Sequence, residues 1–113
     1  MELSFTNKKL EELANNDRKM VKELGSMRAT IFRRRLTQLE DATTLEVVRS
    51  LPGNYHELKN NRKGQWSCDL DQPYRLVFKP QKDLLPSNSV NQYNWIEITG
   101  VEIIEIINYH KER

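Results

Sequence analysis

The 113-residue sequence predicts an α+β fold, with helices in its first half and strands in its second. Three observations predict it. Up to about residue 50 the apolar residues recur at helical spacing between capping residues. From Trp66 onward they alternate one in two, as in strands. The chain then runs into a nearly unbroken apolar stretch, Val101 to Ile107, whose two faces both call for burial, as in a central strand. Helices followed by strands, without βαβ alternation, make an α+β fold.

Each element has its own signal. Leu3 and Phe5 suit a short first strand, after which Asn7 can cap a helical stretch through Leu13. Asn15-Asn16-Asp17 breaks that stretch and can cap another toward Leu24, which Gly25 stops. From Ser26 the spacing of Phe32, Leu36 and Leu39, with Met27 and Ile31 beside them, predicts an amphipathic helix to about Asp41. Thr43 and Glu46 have capping-box spacing and start a short helix holding Leu45 and Val48, ended by Leu51-Pro52-Gly53. Trp66, Cys68 and Leu70 alternate with Ser67 and Asp69 in a half-buried strand. Asp71-Gln72-Pro73 turns the chain into a second strand, Tyr74 to Lys79, with Leu76 and Phe78 opposite Arg75 and Val77. Pro80 to Gln92 is polar and reads as a long connection; Trp95, Ile96 and Ile98 form a further strand or lead into a turn at Thr99-Gly100. In the last strand Val101, Ile103 and Ile107 are expected on one face, Ile104 and Ile106 on the other.

Length and composition limit the class. One domain over residues 1–113 is expected, with apolar content of 37%, charged content of 30% and a modest core. No run is long enough to cross a bilayer, and Met1-Glu2-Leu3-Ser4-Phe5 lacks the layout of a signal peptide, so a cytoplasmic protein is expected. The lone Cys68 cannot form an internal disulfide and reads as a small core residue. The net charge of +2 is unevenly spread. Residues 1–64 hold 13 Lys or Arg against 9 Asp or Glu, and residues 65–113 hold 5 against 7. Arg33-Arg34-Arg35 is the densest basic point, with Arg28, Arg49, Lys59, Arg62 and Lys63 around it in sequence. Such clustering suits a phosphate backbone, although a solvated helix face is the commoner reason for an arginine triplet. The triplet spans about 200° of a helix, so some of it must face solvent or a partner.

Three stretches carry a resemblance: His56-Glu57-Leu58-Lys59-Asn60-Asn61-Arg62-Lys63-Gly64-Gln65-Trp66-Ser67, then Tyr74-Arg75-Leu76-Val77-Phe78, then Asn108-Tyr109-His110. Together they resemble the HigB-type toxins of bacterial toxin–antitoxin modules, the plasmid maintenance system killer proteins of the RelE/ParE superfamily. The chain departs from that pattern at Asn108, where Asp is usual, and between Pro80 and Thr99. The resemblance implies a RelE-like α+β fold, with amino-terminal helices packed on a small, mainly antiparallel sheet. It also implies an endoribonuclease, needing neither metal nor cofactor, that cuts messenger RNA in the ribosomal decoding site. The 2′-hydroxyl would attack the neighbouring phosphorus, leaving a cyclic phosphate and a free 5′-hydroxyl.

The residues offer a candidate for each part of that chemistry. His56 and His110 match positions the family uses, and an imidazole titrates near neutral pH, suiting it to act as acid or base. Tyr109 can hydrogen-bond to the phosphate or stack on a base. Arg75 offers a permanent planar cation to the phosphorane, with pairing to Asp69 or Asp71 as its plainer role. Lys59 and Arg62 add charge or bind RNA, and Arg28, Arg33, Arg34 and Arg35 are assigned to ribosomal RNA as salt-sensitive steering. Asn108 can hydrogen-bond but supplies no carboxylate to a neighbouring imidazole. The implied partners are a cognate helix-turn-helix antitoxin, through which alone operator DNA is bound, the ribosome and its message. Two alternatives stay open: a gyrase-inhibiting ParE-like toxin, and a non-catalytic RNA- or protein-binding relative.

Overall fold

The computed structural model describes residues 1–81, 95 and 97–109. Its elements run β1 (Glu2–Phe5), α1 (Lys8–Asn15), α2 (Asp17–Leu24), α3 (Ser26–Asp41), α4 (Leu45–Val48), β2 (His56–Glu57), β3 (Trp66–Asp69), β4 (Tyr74–Pro80) and β5 (Gly100–Asn108). A 3-10 turn over Asn60–Arg62 follows β2. The five strands form one sheet in the order β1-β5-β4-β3-β2, antiparallel except for the β1–β5 pair. The α+β expectation is met, helices first and strands after.

The caps act where the sequence places them. The Asn7 side chain accepts the Leu10 amide at 2.9 Å and Asn16 accepts the Lys19 amide at 3.0 Å, each satisfying a helix-end donor. Gly25, at φ 84°, adopts the left-handed backbone that ends α2 and lets α3 begin directly. α4 differs from expectation: its N-cap is Thr44 rather than Thr43, with no side-chain cap bond. Its Leu45 and Glu46 amides instead bond to the carbonyls of Ile98 and Trp95. Trp95 and Glu97 lie in a turn, earlier than the turn expected at Thr99-Gly100, and Gly100 already opens β5; Ile96 lies outside the described residues. So does 82–94, most of the expected connection, while Pro80 itself closes β4 opposite Val101.

α3 buries Ala29, Phe32, Leu36 and Leu39, a stripe at three- and four-residue spacing. Met27 was expected beside that stripe but is 69% exposed, because it lies on the outer side of the first turn. The stripe joins Trp66, Cys68, Leu76, Phe78, Val101 and Ile103 in one core cluster. Phe78 anchors it, with the Tyr55 ring edge-on at 6.1 Å and Trp66 at 6.3 Å. Burying such side chains stabilises by about 1.5–3 kcal/mol each. No helix among the described residues is long and apolar enough to cross a membrane.

One irregularity decides which face the last strand shows. Between Val77 and Phe78 the β4–β5 register shifts: Val77 pairs with Glu105 but Phe78 with Ile103, leaving Ile104 as an extra residue. This β-bulge reverses the alternation. Val101 and Ile103 face the core cluster as expected, but Ile106 joins them there, opposite Leu76. Ile107 is moved to the other face, opposite Arg75. The expected grouping of Ile107 with Val101 and Ile103 is thus corrected by a single inserted residue.

Candidate functional site

The face turned away from the helices is built in cross-strand rows. His56, Ser67, Val77 and Glu105 are successive register partners across β2, β3, β4 and β5; Asp69, Arg75 and Ile107 form the neighbouring row. Directly paired residues project to the same side with Cβ atoms roughly 5 Å apart. An open cavity of about 440 Å³ lies over these rows, floored by Ser67, Arg75, Ile107 and Tyr109 and walled by His56 to Arg62. His56, Lys59, Arg62, Arg75 and Tyr109, five of the sequence-derived candidates, therefore line one cavity. His110 lies outside the described residues.

The wall is shaped by two asparagines in left-handed backbone, Asn54 at φ 58° and Asn60 at φ 61°, a conformation asparagine tolerates better than most residues. Asn54 turns its carbonyl to His56 Nδ1 at 2.8 Å. A carbonyl only accepts, so Nδ1 carries the proton and the neutral ring has its lone pair on Nε2. The 3-10 turn then brings Arg62 back across the sheet. Arg62 donates to Gln65 at 2.8 Å and pairs with Glu105 at 3.3 Å, so its charge is partly balanced.

On the floor, the Arg75 guanidinium lies 4.0 Å over the Tyr109 ring. Cation–π contact of this kind fixes the plane of the guanidinium. Arg75 Nε stands 3.7 Å from Asp69 Oδ1, its direct cross-strand partner. That distance is an ion pair, not a hydrogen bond, and both atoms are buried without a hydrogen-bond partner among the described residues. Of the two carboxylates weighed for Arg75, Asp69 takes it. Asp71 is occupied by Arg28, which donates to it at 2.8 and 3.1 Å, lies 3.4 Å over the Tyr74 ring and has its pKa raised by the hydrogen bond to Asp71.

The arginines of α3 are not brought to the cavity. Arg35 folds inward, donating to the Asp69 carbonyl at 2.7 Å and reaching Gln38 and the Pro52 carbonyl. Gly53, at φ 128°, holds a backbone conformation that favours glycine, and the Arg35 guanidinium lies against it, 2.9 Å from where a Cβ would stand. Arg33 pairs with Asp17 at 3.2 Å at the surface, and Arg34 is exposed. Cys68 is on the core face as expected; burial pushes its thiol up to about 12, and burial also raises the Tyr55 phenol. Among the described residues no group of three or more His, Cys, Asp or Glu side chains is placed to hold a metal ion. The polar walls suit an anionic, oxygen-rich ligand, for which Lys59, Arg62 and Arg75 supply charge.

No protein-family model and no curated protein sequence matches the chain. Solved structures do. The YoeB/ParE toxin from Agrobacterium tumefaciens aligns over 94% of this chain and 95% of its own, with TM-score 0.58 and 13% identity. The fold is that of the YoeB/ParE toxins. A YoeB dimer from Staphylococcus aureus agrees, covering 93% of this chain and 92% of its own at TM-score 0.54 and 14% identity. At such identity the likeness is one of backbone, and the chemistry of the YoeB/ParE fold in this chain rests on its own side chains. Sequence reasoning missed two of these: Ser67, on the cavity floor, and Glu105, the partner of Arg62. Both sit on the face opposite the core, but β2 and the bulge had to be known before they could be grouped with His56 and Arg75.

Proposed function

We propose that the chain is the toxin of a type II toxin–antitoxin module, of the HigB type, and acts as a ribosome-dependent messenger RNA endoribonuclease. The observation that carries this reading is the convergence of His56, Lys59, Arg62, Arg75 and Tyr109, from separate segments, on one cavity of the fold. The solved relatives are named as toxins, which supports the toxin role.

The chemistry is a transesterification within the RNA. His56 Nε2, unprotonated in the tautomer set by Asn54, takes the 2′-hydroxyl proton as the 2′-oxygen forms a bond to phosphorus. The P–O5′ bond breaks, and the departing 5′-oxygen takes a proton from an acid, the role assigned to His110, which follows Tyr109 in the chain. Arg75, oriented by the Tyr109 ring, faces the charge that grows on the non-bridging oxygens. Lys59 and Arg62 hold the flanking phosphates. Ribosomal RNA is left to exposed Arg34 and to Arg33, whose pair with Asp17 lies open at the surface, since Arg28 and Arg35 are held in part-buried contacts within the chain. A helix-turn-helix antitoxin neutralises the toxin and alone carries the complex to operator DNA; the site of action is the cytoplasm.

Growth arrest on induced expression, with primer extension on a translated message, tests the reading. Wild type should give codon-spaced cuts that require translation, and both His110→Ala and Arg75→Ala should lose them. Arrest without cuts, surviving His110→Ala, would replace this reading with a gyrase-directed ParE-like toxin.

A further inference from the structure

Five buried side-chain polar atoms lack a hydrogen-bond partner among the described residues, and three of them, Ser67 Oγ, Asp69 Oδ1 and Arg75 Nε, belong to the cavity face of β3 and β4. Asp69 and Arg75 at least form an ion pair. Ser67 has neither a hydrogen bond nor an ionic partner there, is only 1% exposed, and lies on the cavity floor. A buried hydroxyl without a partner costs free energy, so its presence calls for a reason beyond packing.

We propose that Ser67 is a substrate-contacting residue whose hydroxyl donates a hydrogen bond to a non-bridging oxygen of the RNA phosphodiester being cleaved. The inference rests on the nuclease reading and adds a donor to it. Ser67 is the direct cross-strand partner of His56 and stands one row from Arg75 on the same face. A phosphate seated between the proposed base and the arginine therefore lies over Ser67. The 2′-hydroxyl has its one proton committed to His56, and Arg75 is a flat cation that covers one side of the phosphate. What the arrangement lacks is a donor from below, where negative charge develops, and an O–H on a strand paired on both sides supplies it without reorganising. Among the described residues the hydroxyl has no partner until RNA arrives, so the site stores that cost in the free protein and recovers it on binding.

This gives the hydroxyl a signature that a structural serine would not have. Ser67→Ala removes an unsatisfied polar atom and leaves the backbone pairing intact, so thermal stability should be unchanged or higher. Single-turnover cleavage on programmed ribosomes should fall about 10- to 100-fold. Replacing a non-bridging oxygen of the scissile phosphate by sulfur should slow wild type more than Ser67→Ala, because the contact is already gone in the variant. Ser67→Cys, with a weak donor of similar size, should fall between the two. If wild type cuts and Ser67→Ala cuts within twofold of it, or if the sulfur penalty is equal in both, the inference is overturned while the nuclease reading stands. A clear loss of stability in Ser67→Ala also overturns it, in favour of a structural hydroxyl. Failure of wild type to cut overturns the nuclease reading, and the inference with it.

Discussion

The two faces of the sheet are made by alternate residues of the same strands, yet they are finished to opposite standards. Toward the helices stand Trp66, Cys68, Leu76, Phe78, Ile103 and Ile106, closely packed around aromatic rings. Toward the cavity stand Ser67, Asp69, Arg75 and Glu105, with three buried polar atoms lacking a hydrogen-bond partner among the described residues and an ion pair of 3.7 Å. One face lowers the free energy of the fold, with the indole nitrogen of Trp66 as its unpartnered atom, and the other holds ion pairs beside a Ser67 hydroxyl that has no hydrogen-bond partner among the described residues. Incomplete satisfaction on a rigid frame is the physical mark of a site, because a protein under selection for stability alone would remove it.

Changes on either face of β4 should separate these contributions. Arg75→Ala should slow message cleavage about 100- to 1000-fold and, by leaving Asp69 without its ionic partner, lower the melting temperature less than a core truncation does. Phe78→Ala, three residues along and facing the core, should cost about 3–5 kcal/mol of stability, measured by urea denaturation. Equal effects of both on stability would erase the distinction between the faces. A further effect is expected at alkaline pH. The Cys68 thiol titrates at an ordinary 9.0 in the unfolded chain but near 12 in the fold, so between those values the unfolded state holds fewer protons. Stability is therefore unaffected by this group below about pH 9.0, declines as pH rises, and the loss is complete near 12. Buried Tyr55 acts in the same direction at higher pH, and Cys68→Ala should flatten the lower part of the decline in denaturation curves. The smallest effect belongs to Met27→Gln, which should stay within about 0.5 kcal/mol of wild type because the side chain is 69% exposed.

What the sequence made legible was local. Asn7, Asn16 and Gly25 announced the helix boundaries because caps act over three or four residues. The alternation in β3 and β4 was legible for the same reason, since each strand carries its own period. Two features were not. β2 is two residues long and has no pattern of its own; it exists because β3 offers it an edge. The bulge at Ile104 lies inside an apolar run where every residue type suits either face, so nothing in composition marked the shift that moved Ile107. The arginines of α3 illustrate the same limit: helical geometry showed that the triplet must spread around the helix, but not that Arg35 would be held by the carbonyl of Asp69, 34 residues away. The cavity was partly legible, through His56, Arg75 and Tyr109, but its floor at Ser67 depended on pairings that only the folded sheet contains.

The position of β5 sets an order of events. It is inserted between β1 and β4, so Glu2 waits for Gly100 before it has a partner, and Tyr74 waits for Asn108. Contacts so distant in sequence form late, because the intervening chain must first be closed into a loop. Tyr109, which fixes Arg75, follows directly on the end of that strand. Before β5 is in place the Arg75 guanidinium has no ring beside it, and the core lacks Val101, Ile103 and Ile106. The geometry around Arg75 is thereby tied to the last strand to find its place in the sheet.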